Sequence, residues 1–187
     1  MKEFIIYDTE FTCWEGSLER NWSDENEYKE IIQVSAIKVN EKLEIIDKIN
    51  ILVKPILNPI ISEYCIKLTG LSVKEIIEAD TYASMLKQYE EFNYNGSIKS
   101  WSWGNDINVM IENNNINKVK IGNISSFNNL QLVFKNENID YGTACSGELA
   151  AHFGIKLDGH VHNAEFDTFS LFKSIEHFED QVLNYLF

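Results

Sequence analysis

The stretch EFIIYDTEF, residues 3–11, constrains this chain more than any other. Its apolar run from Phe4 to Tyr7 is short and rich in β-formers, which predicts a buried strand over residues 3–8. Asp8, Thr9 and Glu10 break the run. Side chains alternate along a strand, so Asp8 and Glu10 project to one side and Thr9 points away. Two carboxylates so placed can hold one cation between them. An ordinary strand-end turn is the competing explanation.

The remaining pattern says what that strand packs into. Residues 14–29 are polar and rich in turn-formers, which predicts a loop. Residues 30–39 and 44–54 read as two further strands, a hairpin turning across residues 40–42. Pro55 and Pro59 hold an extended connection. Ser62 opens a short helical turn that ends near Gly70, Ser72 opens the next helix, and residues 81–92 continue helical. A strand follows over residues 98–103. Helices are then expected over residues 105–114, 125–136 and 144–153, the last capped by Thr143, with a final clear helix over residues 163–177. Three strands, helices, one strand and more helices make an α/β fold with a mixed sheet flanked by helices. No linker divides the chain, so residues 1–187 are expected to form a single domain.

Composition narrows the class. Hydrophobic residues make up 44% and aromatics 12% of 187 residues, enough for a packed core. Sixteen basic residues stand against twenty-nine acidic ones, a net charge of −13. That argues against a nonspecific duplex-binding protein. It leaves room for a nucleic-acid enzyme, because bound divalent metals invert the charge of an acidic site. Cys13, Cys65 and Cys145 are far apart and form no CxxC pair, so neither a zinc site nor a disulfide framework is suggested. The N-terminal apolar run is too short for a signal peptide, and no stretch approaches a membrane span. The expectation is a cytoplasmic protein with no membrane partner.

Two later stretches repeat the acid theme. In SWSWGNDIN, residues 100–108, a strand gives way to a helix near Asp106, and Asn105 or Asp106 has an ordinary alternative role as helix N-cap. In GHVHNAEFDTFSLF, residues 159–172, Ala164, Thr168, Leu171 and Ile175 make the buried stripe of a helix. Asp167 lies at the edge of that stripe, where an acid must find a partner or pay for desolvation. His162 sits just before the helix. Each of these residues alone has a structural explanation.

As an ordered set they resemble the DEDDh exonucleases: D-x-E on the first strand, an acid after a later strand, then H-x4-D on a late helix. More narrowly, the chain is similar to the enhanced-RNAi-type branch of 3′–5′ exonucleases, which includes bacterial relatives named as inhibitors of the KinA pathway to sporulation. The resemblance is carried by DTEFTCWEG at 8–16, EIIQVSAI at 30–37, EYCIKLTGLS at 63–72, SWGND at 102–106 and FGIKLDGHVHNAEFD at 153–167. The family often has one more residue between the Trp-Gly and the acid of the second motif. Asn129-Leu130-Gln131 stands where many relatives carry Asp-Leu-Gln. His160 is a second histidine near the last motif, but only His162 has the family spacing to Asp167.

The resemblance implies a ribonuclease H-like exonuclease fold. It implies two Mg2+ ions, replaceable by Mn2+, held by Asp8, Glu10, Asp106 and Asp167, with His162 as general base. Phosphodiester hydrolysis at neutral pH has the same needs: a hydroxide, charge relief on the leaving oxygen, and hard cations that prefer carboxylate oxygens. It further implies a 3′–5′ exonuclease acting on single-stranded RNA or DNA 3′ ends, RNA favoured, that releases nucleoside 5′-monophosphates. Phe11, with Thr12 beside it, would touch the terminal nucleotide, while Trp14 and Trp103 are weaker contact candidates. The alternative is a regulatory protein-binding module that retains the ribonuclease H-like fold. A protein partner is not identified by the sequence.

Overall fold

The computed structural model describes residues 2–187. The first three strands are β1 (Glu3–Phe11), β2 (Ile31–Asn40) and β3 (Ile45–Leu52). Helices α1 (Glu63–Thr69), α2 (Val73–Glu78) and α3 (Tyr82–Phe92) follow, then β4 (Ser100–Ser102) and α4 (Asp106–Asn117). The chain continues with β5 (Phe127–Asn129), α5 (Leu130–Asn136), α6 (Leu149–His152), α7 (Ala164–His177) and α8 (Glu179–Leu186). No helix among the described residues is long and apolar enough to cross a membrane.

The five strands lie in the order β3-β2-β1-β4-β5. β1 runs antiparallel to β2 and parallel to β4, and β4 is parallel to β5, so the sheet is mixed as expected. β1 is central and its faces have different neighbours. Phe4 and Ile6 pack into a core with Leu130, Leu149, Leu171 and Val182, from α5, α6, α7 and α8. Ile5 and Tyr7 pack into a second core with Met85, Tyr89 and Met110, from α3 and α4. With both faces covered, β1 reads as a continuous apolar run rather than an alternating one. The register slips between Glu10 and Phe11, where β2 carries an extra residue, so the strand pair is bulged at its acidic end.

Several helix boundaries follow local chemistry that is plain in the sequence. The Ser62 hydroxyl accepts from the Cys65 amide at 3.0 Å, and Gly70 closes α1 in the left-handed region at φ 68°. Ser72, Thr81 and Asn163 cap α2, α3 and α7 in the same way.

Three expectations are corrected. The helix expected over residues 125–136 is a 3-10 turn at Ile124–Ser126, then strand β5, and only then α5. β5 is three residues long and two of them are asparagines, so its pairing with β4 leaves no period-2 signal. The helix expected over residues 144–153 contracts to α6, and Thr143 does not cap it. Helix α8 lies beyond the last helix expected; its apolar residues Val182 and Leu186, four apart, are its one face in the core.

Candidate active site

The site forms at the carboxyl ends of the parallel strands β1 and β4, where open sheets of this kind leave a crevice. Asp8 and Glu10 sit opposite Ser35 and Gln33 of β2. Gln33 fixes what lies above them. Its carboxamide oxygen accepts from the Ala164 amide at 2.9 Å, and its nitrogen donates to Asn163 Oδ1 at 3.5 Å. The first turn of α7, which carries Asp167, is thereby docked beside Glu10. Its oxygens are both engaged: Oδ1 accepts from the His162 amide at 3.1 Å and Oδ2 from the Ser146 hydroxyl at 3.0 Å. Gly147 lies so close to Asp167 that a Cβ there would collide with the carboxylate.

Asp106 reaches the same place from the other face of the sheet. Gly104, at φ 119°, turns the chain from β4 into α4, and Asp106 begins that helix. Neither cap role suggested by the sequence is filled in the usual way, because Asn105 stands at the cap position with no side-chain cap bond. Asp106 instead accepts a hydrogen bond from Thr9 Oγ1 at 2.7 Å. Thr9 does point away from Asp8 and Glu10, as alternation requires, and that is how it meets an acid carried by the helix of the opposite layer.

A cleft of about 550 Å3 is lined by Asp8, Glu10, Asp106, Asp167 and His162 together. One donor atom from each of Glu10, His162 and Asp167 lies within 4.8 Å of the others. No lysine or arginine forms an ion pair with any of the four acids among the described residues. Burial pushes Asp8 and Glu10 well above the usual carboxylate range, and the neighbouring acids push the same way. Burial also raises Asp106, against the Thr9 hydrogen bond, and lifts Asp167 to about 6 against its Ser146 and His162 donors. Three buried acids and a half-buried one, without cationic partners, are a costly arrangement unless positive charge arrives from outside. Their hard oxygen donors suit a divalent cation such as Mg2+ or Mn2+.

His162 has a left-handed backbone at φ 67°, and burial lowers its pKa from the ordinary 6.5 although Glu148 opposes this. His160 is directed elsewhere: its Nε2 is 2.9 Å from the Leu68 carbonyl and its ring packs on Gly70, at the end of α1.

The expected contact residues divide. Phe11 lines the cleft with its ring against Trp22, centroids 5.4 Å apart. Trp103 borders the cleft but is core: its Nε1 donates to the Ala144 carbonyl at 3.0 Å, and its ring is edge-on to Phe134 and Tyr141. Thr12 is a correction. It is buried, does not line the cleft, and its hydroxyl donates to the Tyr28 carbonyl while accepting from the Glu30 amide. Trp14 does not line the cleft either. Thr9, Ser146, Gly147 and Gln33 were not singled out as site residues by sequence. Nothing local marks them, since each acts on a residue distant in the chain.

A family model described as an exonuclease (RNase_T) matches residues 5–173. The human 3′-5′ exoribonuclease 1 is 34% identical over 84 residues, which is 44% of this chain and 22% of that protein's length. The fold is similar to that of the nuclease domain of 3′hExo, a DEDDh family member bound to rAMP. The TM-score is 0.81 at 20% identity, covering 97% of this chain and 94% of that one. Escherichia coli exonuclease I in complex with a dA16 oligonucleotide is similar with a TM-score of 0.69 at 14% identity, covering 99% of this chain and 43% of that one.

Proposed function

The chain belongs to the exonuclease family, and we propose that it removes nucleotides one at a time from the 3′ end of single-stranded nucleic acid, releasing nucleoside 5′-monophosphates. Residues 1–187 act as one exonuclease domain. The observation that carries this reading is the meeting of Asp8, Glu10, Asp106 and Asp167, from three elements on both faces of the sheet, in one cleft without a cationic partner.

These four acids would hold two divalent cations, Mg2+ or in its place Mn2+. Such cations supply charge neutralisation and Lewis acidity toward water and the phosphate oxygens. Ser146, Thr9 and the His162 amide keep the Asp167 and Asp106 carboxylates in fixed orientations before substrate arrives. His162 takes the proton of the attacking water. Its lowered pKa keeps the imidazole neutral, and so able to accept, at neutral pH. Its ring makes no hydrogen bond among the described residues and can turn to the water. Phe11 offers an aromatic face to the terminal base.

RNA is the favoured substrate, in keeping with the enhanced-RNAi-type branch that the motifs resemble and with the exoribonuclease relative. The test is digestion of end-labelled RNA and DNA strands with Mg2+ or Mn2+. A 3′-phosphate should stop the reaction and a 5′ block should not, and EDTA should abolish it. Cleavage of a circular single strand, or activity that survives chelation and dialysis, would contradict the reading.

A further inference from the structure

The cleft that gathers four acids has one cation on its wall. We propose that Lys29, held over the Trp22 ring, binds the backbone phosphate immediately 5′ of the scissile one, so that Trp22 and Lys29, next to Phe11 at the terminal base, form a subsite for the penultimate nucleotide of a single strand. This rests on the exonuclease reading above.

The polar segment at residues 14–29 is a built wall rather than a loose loop. Trp22 Nε1 donates to the Thr12 carbonyl at 2.9 Å, and the Trp22 amide donates to the Ser17 carbonyl at 3.0 Å. One neighbour of its indole is Phe11, and the Lys29 ammonium lies 4.7 Å from its centroid. The backbone of Lys29 is fixed too. Buried Asn113 of α4 donates from Nδ2 to the Lys29 carbonyl at 2.7 Å and accepts from the Ile31 amide at 3.0 Å, while the Glu30 amide between them donates to Thr12 Oγ1. Lys29 is thus tied to the strand end that carries Glu10.

Lys29 makes no ion pair among the described residues, in a chain with twenty-nine acids. Its ammonium has three donors and gives one to Asn21 Oδ1 at 3.3 Å, leaving two for phosphate oxygens. No other lysine or arginine lines the cleft among the described residues. Asn21, Trp22, Lys29 and Glu112 also border an adjoining trench of about 370 Å3 that runs on to Tyr28 and Asn115. The path therefore continues from the acids past the one cation and two aromatic rings. A cation for the phosphate beside a stacking platform for the base is the chemistry that a single strand requires.

The test compares an unphosphorylated dinucleotide, whose one phosphate is the scissile one, with hexamers of RNA and of DNA. Lys29→Met keeps the apolar stem on Trp22 and removes the charge. It should raise KM for the hexamer roughly tenfold, with kcat and the dinucleotide kinetics little changed. The dependence of log KM on log salt should become shallower by about 0.7. Lys29→Arg should restore both, and an unchanged melting temperature excludes a folding defect. An unaltered hexamer KM and salt dependence, or an equal loss on the dinucleotide, overturns the subsite while the exonuclease reading stands. If the wild-type protein cleaves none of these strands, the exonuclease reading fails and takes the subsite with it.

Discussion

Asp167→Asn should stabilise the metal-free protein while destroying its activity. The reason is the cost of holding a charge at this position. Asp167 is 1% exposed and its carboxyl is lifted from the ordinary 3.8 to about 6. At about 1.4 kcal/mol for each tenfold change in proton affinity, the ionised form is penalised by roughly 3 kcal/mol in the fold relative to the unfolded chain. The sign follows from which state holds the proton. Between pH 4 and 6 the folded carboxyl keeps its proton and the unfolded one has lost it. The contribution of Asp167 to the stability of the metal-free protein therefore falls as pH rises through that window and levels off above it. Asparagine resembles the protonated acid in size and is blind to pH. The two proteins should melt together near pH 4 in EDTA. By pH 8 the variant should be ahead by up to about 3 kcal/mol, or about 6–12 °C for a chain of this length. Mn2+ or Mg2+ should raise the wild-type midpoint and move the variant's far less. Thermal melts by circular dichroism across pH 4–8, with and without metal, measure all of this. A variant that is less stable than wild type at pH 8 in EDTA, or a difference that does not grow with pH, would refute the argument that the acids are held together against their charge.

The histidines give a second test. His162→Ala should lower kcat by roughly 10²–10⁴-fold with partial recovery toward pH 9–10, whereas His160→Ala should leave kcat near wild type because that ring serves the Leu68 carbonyl; steady-state kinetics over pH 6–10 separates them. Thr9→Val removes the 2.7 Å hydrogen bond to Asp106 and keeps the β-branched shape in the strand. A bond to a charged group is worth about 1.5–3 kcal/mol, so kcat/KM should fall roughly tenfold to a hundredfold, and Thr9→Ser should restore most of it. Equal activity of Thr9→Val and wild type would show that Asp106 needs no positioning from β1.

Strand β1 with its D-x-E pair, the hairpin, the capped helices and the stripe of α7 were all legible in the sequence, because each is governed by residues within a few positions of one another. Alternation alone put Asp8 and Glu10 on one face, and the spacing of H-x4-D put His162 just outside the helix that carries Asp167. What the sequence could not express is which distant groups complete each carboxylate. Thr9 was read correctly as pointing away, but only the packing of α4 on the opposite face shows that it points at Asp106. Ser146 and Gly147 lie in a stretch expected to be helical, and they matter through contact with a residue twenty positions on. Thr12 and Trp103 sit beside motif residues in sequence, yet strand alternation and core packing turn one to the Tyr28 carbonyl and the other to Phe134 and Tyr141. The polar segment at residues 14–29 has no periodicity to read, and its order comes from Trp22 reaching back to Thr12 and from Asn113 reaching across from α4. Local chemistry sets where strands and helices begin and which acids they carry. Long-range hydrogen bonds and the covering of both faces of the sheet decide which of those acids meet and what stands beside them.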